Sequence, residues 1–252
     1  MPKPRSKKAG RYLYAVIDNS DELTYGAFGI DGGIVYSISD SHVSAVVSDV
    51  PNEKIRPERR RLAAHQEVLK LLMEDSTPLP LTFGIIANGP KAIQRILSLN
   101  REAFSRELHR VAGKVEMGLR VTWDVPNIFE CFVHTHKDLR AARDRLFGTH
   151  REPTQEEKIE VGRMFERLIN EDRETYTDMV EQILSPKCFE IKSNTPRNEQ
   201  EVMNLACLVG REDQPKFEAA IFKAAELFDN NFAFDYNGPW APHNFVDIDL
   251  EL

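Results

Sequence analysis

The chain has 252 residues, 41% of them hydrophobic, which is enough for a core in each of two domains. Its net charge of -7 is unevenly divided: residues 1–118 carry 17 basic and 14 acidic side chains, residues 119–252 carry 16 and 26. A C-terminal half this acidic argues against nucleic acid or an anionic membrane as its main partner, since phosphate binding rests on Lys and Arg.

No apolar run reaches 18 residues, so no membrane span is predicted. Cys131, Cys188 and Cys207 are odd in number and far apart, the pattern of reduced thiols in a cytosolic protein and not of a disulfide frame. Residues 1–10 read as a disordered basic tail; with no apolar segment behind Pro2 to Lys8, they are not a secretory signal.

Tyr12 to Ile17 is a β-branched and apolar run, predicted as a buried strand. The glycines at 26, 29, 32 and 33 could suggest a phosphate loop. Asp31-Gly32, however, lies between strand-like runs at Phe28 to Ile30 and Ile34 to Ile38, so a hairpin turn explains them better. Val43 to Val50 is a further strand. From Pro57 to about Met73 a helical stripe carries Leu62, Leu69, Leu72 and Met73. His65 falls on that stripe, as a hydrogen-bonded core histidine or, if a partner base existed, a catalytic one. Pro78 to Ile86 is a strand entered through prolines, and Pro90 opens one long helix to about Glu116.

Gly118 marks the expected boundary. Beyond it, Leu119 to Trp123 alternates as a strand, Asn127 to Phe147 is helical, and a longer helix opens with Thr154 and Glu157 in capping-box spacing. Gly162 would weaken that helix unless a neighbouring helix approaches closely there. Cys188 to Lys192 and Met203 to Val209 are strands, Asp213 to Pro215 starts a helix, and Phe232 to Tyr236 is the last strand. With one inserted helix, the order is that of the ferredoxin-like βαββαβ arrangement. The predicted fold class is therefore α+β in two domains, residues 11–117 and a ferredoxin-like domain over 118–238, followed by a tail of 239–252.

Phe232, Phe234 and Tyr236 share one strand face, and Gly238, Pro239 and Pro242 stop the ladder in a stiff corner around Trp240. Val246 to Leu252 alternates apolar and acidic residues, so it has one face to bury. It either packs back across the domain junction or offers an edge to a partner. Phe234, Tyr236, Trp240, Phe245, Ile248 and Leu250 are accordingly the candidate residues for partner binding or for fixing the domains.

Chemistry is thinly represented. Cys131, His134 and His136 cannot all face one way on either a helix or a strand, and no fourth ligand is at hand. Glu156, Glu157 and Glu160 complement a helix N-terminus more simply than they form a carboxylate pair. No catalytic residue, metal ligand or cofactor site is assigned. A binding or assembly protein is favoured over an enzyme.

Several stretches resemble the gas vesicle protein F/L family (GvpF/GvpL), GvpF most closely. They are Tyr12 to Ile17, His65, Pro80 to Gly84 with Thr82 for the usual arginine, Val121 to Asp124, Lys158 with Gly162, and Asn237 to Val246. The last is similar to the closing Gly-Pro-Trp-Pro-Pro-Tyr-x-Phe signature, with Ala241 and His243 departing from it. The resemblance implies a minor gas vesicle component and assembly factor that binds the hydrophobic shell protein GvpA and prevents its aggregation during nucleation. Localisation to the gas vesicle or cytoplasm, and other gas vesicle proteins as partners, follow from it. The alternative is a small-ligand module or enzyme on the ferredoxin-like sheet, which a deep polar pocket would favour.

Overall fold

The computed structural model describes residues 9–148 and 152–251. The expected basic tail lies outside the described residues except for Ala9 and Gly10, which begin the first strand. The chain divides into two compact units, residues 1–116 with 238–252, and residues 117–237.

The first unit is built around β1 (Ala9–Ile17), buried along nearly all its length. β2 (Thr24–Gly26), β3 (Val35–Ser39) and β4 (Ser44–Pro51) join it in the order β2-β3-β4-β1, and the short β5 (Leu79–Pro80) and β6 (Ile86–Ala87) pair with its other edge. A register shift between Leu13 and Ala15 makes Leu13 and Val16 share a face, opposite to that of Tyr12 and Tyr14. Helix α1 (Arg59–Asp75) meets the tyrosine face through His65. On the other face, α2 (Pro90–Leu99) and α3 (Arg101–Val111) bring Ile93, Ile96, Leu97, Phe104, Leu108 and Val111 into one core with Leu13, Val16 and Val47.

Three local expectations differ from this structure. Phe28 to Ile30 is not a strand: residues Ile30–Gly32 form a single 3-10 turn and the strand facing β3 is β2. Gly29 is required there, because a Cβ on it would meet the Tyr14 hydroxyl at 2.5 Å and the Gly33 carbonyl at 2.9 Å. The strand expected over Pro78 to Ile86 is two short bridges, β5 and β6, with Gly84 at a φ of 97 between them. The single helix expected from Pro90 to Glu116 is broken at Asn100 and ends at Val111, after which Gly113 at a φ of 68 turns the chain into a strand.

That strand, β7 (Lys114–Trp123), leads into the second unit. There α4 (Ile128–Thr135) and α5 (Lys137–Phe147), which the sequence suggested as one helix, are separated at His136. The 30-residue α6 (Gln155–Leu184) opens with the expected reciprocal bonds between Thr154 and Glu157. β8 (Glu190–Ser193), β9 (Glu201–Gly210), α7 (Gln214–Ala225) and β10 (Phe232–Trp240) complete it. The sheet order β10-β7-β9-β8 is the fourth-first-third-second order of a ferredoxin-like sheet, with the extra helices inserted after the first strand. The fold is therefore α+β with two antiparallel sheets.

Candidate functional site

β10 was expected to end at Tyr236. It continues through Gly238-Pro239, a cis peptide, to Trp240. β10 is an edge strand, the kind of strand to which proline is confined in a sheet. Its register on β7 follows from three neighbours. Asp124 N–H donates to the Asn231 carbonyl at 2.6 Å, Arg120 meets the Asp235 carboxylate at 2.6 Å, and a Cβ on Gly118 would meet the Asn237 side chain at 2.9 Å. Residues 231, 233, 235 and 237 thus turn their peptide groups to β7, and those of Phe234 and Tyr236 point out from the open edge.

The side chains of these outward residues have partners. Phe232 packs against Trp123, Tyr176 and Phe228, Phe234 against Phe228, and the Tyr236 hydroxyl donates to Glu218. The rings expected on one face do stand together, half-buried, against the helices of the second unit. Trp123 is further held by Phe132 and by the Arg173 guanidinium 5.7 Å from its ring centre. Past the strand the candidate residues separate. Trp240 is 44% exposed, whereas Phe245 is fully buried, and Ile248 and Leu250 pack against the core of the first unit. The tail expected to run across the domain junction belongs to that first unit.

The first unit also encloses a polar cluster. The Tyr12 hydroxyl lies 2.9 Å from His65 Nδ1 and accepts from Gly84 N–H at 3.2 Å. The other ring nitrogen of His65 faces the Leu81 carbonyl, so the neutral ring bearing its proton there satisfies every group. Burial, with His243 nearby, lowers the His65 pKa to about 4. Burial likewise raises the Tyr14 hydroxyl, which lies 2.7 Å from Ser48 Oγ and accepts from Ile30 N–H at 2.8 Å. With these donors matched inside the core, His65 holds α1 to the sheet.

Cys131, His134 and His136 are not brought together. His134 Nδ1 bonds the Glu130 carbonyl of its own helix at 2.6 Å, and His136 Nε2 bonds Asp172 at 3.1 Å. Among the described residues no three His, Cys, Asp or Glu side chains are grouped to hold a metal ion. Nor is any described helix long and apolar enough to cross a membrane.

A hollow of about 570 Å³ in the second unit opens between α6 and residues 193–203. Neither histidine nor cysteine lines it. Its central cation, Arg173, donates to the carbonyls of Asn198, Glu199 and Glu201 and to Asn170 Oδ1. These bonds fix the β8–β9 connection and engage four of the five guanidinium N–H donors. Arg173 falls on the buried stripe of α6, four residues after Ile169 and seven before Val180, and a cation on that stripe was the one signal of this loop clamp that the sequence carried.

Residues 10–247 match the family described as gas vesicle synthesis protein GvpL/GvpF. Gas vesicle protein F of Nostoc sp. is 27% identical over 95% of this chain and 99% of its own length. Gas vesicle protein L1 of Halobacterium salinarum is 26% identical over 96% and 92%. The crystal structure of GvpF from Anabaena sp. superposes with a TM-score of 0.82 at 27% identity, covering 96% of this chain and 99% of that one. The GvpF structure from Microcystis aeruginosa, at 23% identity and a TM-score of 0.80, shares the fold.

Proposed function

The chain belongs to the GvpL/GvpF family of gas vesicle synthesis proteins, which gives it a role in gas vesicle formation, and on that premise we propose that it acts as a non-catalytic assembly factor. In this reading it binds the hydrophobic shell protein GvpA and keeps it from aggregating during nucleation. A shell subunit with a gas-facing surface exposes more contiguous apolar area than a free monomer tolerates, so an unassembled subunit needs cover.

The observation that carries the reading is the family match over residues 10–247, supported by the open edge of β10. That edge offers the peptide groups of Phe234 and Tyr236, and separately the Trp240 ring is exposed. An extended apolar segment can add to such an edge through main-chain bonds, and an exposed indole is the kind of side chain that anchors an interface. Phe245, Ile248 and Leu250 are turned inward, and their part in this reading is structural.

The test is co-purification of GvpA with the full-length chain and with Trp240→Ala. A central aromatic anchor contributes at least about 2 kcal/mol, so the variant should retain roughly 30-fold less shell protein while melting as the parent does. Undiminished co-purification would remove Trp240 from the interface. Normal vesicles in a host lacking the gene, seen by electron microscopy, would count against the assembly role itself.

A further inference from the structure

The C-terminal strap of the first unit is bound as a peptide ligand would be. After Phe245, Val246, Ile248 and Leu250 are half-buried against the core formed by α2, α3 and the sheet, while Asp247, Asp249 and Glu251 are exposed. Arg110, in the last turn of α3, donates to the Phe245 carbonyl. Asn100, immediately before α3, donates from Nδ2 to the Glu251 carbonyl and accepts the Glu251 N–H at Oδ1, both at 3.0 Å. The strap therefore runs antiparallel to α3. Its six residues extended span about 20 Å, and α3 is about 16 Å long, so the two match.

The Asn100 amide reads a backbone, not a side chain: any extended residue presents the same donor and acceptor. Among the described residues, the peptide groups of 247–250 make no hydrogen bond, because the strap joins no ladder. Its attachment is thus three half-buried apolar side chains and one amide pair at Glu251. Segments with few hydrogen bonds and partial burial sit at the low end of local stability. Charge adds a further condition. Residues 91–114, which form this side of the unit, hold six basic and two acidic side chains, and the strap directs three carboxylates outward above them.

We propose that this trough along α3 is a docking site for an extended partner segment carrying apolar side chains at alternate positions with acidic residues between, and that residues 246–251 are its built-in competitor. The occupant is specified by the strap, since the one sequence that demonstrably fits has this pattern. Phe245, fully buried, anchors the exchange so that only the residues beyond it leave. This site is separate from the β10 edge and does not depend on the shell protein being the ligand.

The probe is a fluorescein-labelled synthetic peptide copying residues 246–252, titrated into full-length protein and followed by anisotropy. A tethered segment acts at an effective concentration near millimolar, so the parent protein should take up the peptide weakly. The full-length variant Ile248→Asp, whose own strap is weakened, should bind it at least about tenfold tighter. Adding Asn100→Ala to that variant should reverse most of the gain, and a scrambled peptide should bind neither form. Equal affinity for parent and Ile248→Asp, or indifference to Asn100→Ala, would overturn the proposal. So would an Ile248→Asp variant that no longer folds by circular dichroism, because the strap would then be an obligatory part of the core. A parent protein that is dimeric in sedimentation and becomes monomeric on Ile248→Asp would assign the trough to a second copy and overturn a separate partner.

Discussion

His65 is the residue at which pH should act on the first unit. It is 2% exposed, and burial lowers its pKa to about 4 from a usual value near 6.5. The unfolded chain therefore binds a proton at this site more readily than the folded one, and stability rises with pH between the two values. The contribution is fully present above about pH 6.5 and is lost as pH falls toward 4. Two and a half pKa units at about 1.4 kcal/mol each set a limit of about 3.5 kcal/mol, of which about 2 kcal/mol should disappear between pH 7.5 and 5. Urea denaturation at those two pH values measures it. His65→Gln should show a pH dependence smaller by about that amount, and an unchanged dependence would mean that the ring is reached by water in the folded state.

At the scale of single elements, α6 offers a stabilising change. Gly162 lies early in this helix, and a Cβ there would meet nothing within 4 Å, so no close helix approach offsets the glycine. Its only local effect is the entropic cost of glycine in a helix, and Gly162→Ala should raise stability by about 0.5–1 kcal/mol and the melting temperature by a few degrees. A calorimetric scan that shows a decrease would reveal a contact that the alanine methyl spoils.

The elements also show which features could be read from the sequence. The Thr154/Glu157 capping box and the apolar and acidic alternation of the strap were legible because each is a local pattern with a single physical meaning. The break at Asn100 was not, since Ile93, Ile96, Leu97, Phe104 and Leu108 keep a helical stripe straight through it. What interrupts the helix is an asparagine whose amide is engaged with residue 251, a partner 151 positions away. For the same reason the strap's pattern said that one face would be buried but not what it would cover. At β10 the prolines suggested a stop, but the strand lies at the edge of its sheet, where proline occurs, and it continues to Trp240.

For the whole molecule, the decisive fact is that the first unit is discontinuous in sequence, residues 1–116 with 238–252, while the second is continuous over 117–237. A continuous unit with its own aromatic and aliphatic core has all it needs to fold alone. The first unit, by contrast, is incomplete until residues 241–245 arrive: Phe245 is fully buried, and the Glu116 carboxylate receives both the backbone and side-chain N–H of Asn244 at 2.8 and 2.6 Å. Omitting a buried Phe alone costs about 3–5 kcal/mol, a large share of the 5–15 kcal/mol that holds a typical domain together. Residues 114–240, which keep β7 and β10 whole, should therefore show a cooperative thermal transition by circular dichroism. Residues 1–116 should show none until a peptide of residues 238–252 is added, and that peptide should restore a transition whose midpoint rises with its concentration. A cooperative transition of 1–116 by itself would make the closing segment an accessory to a core already complete. It would also leave the strap along α3 free to leave with Phe245 as well as beyond it.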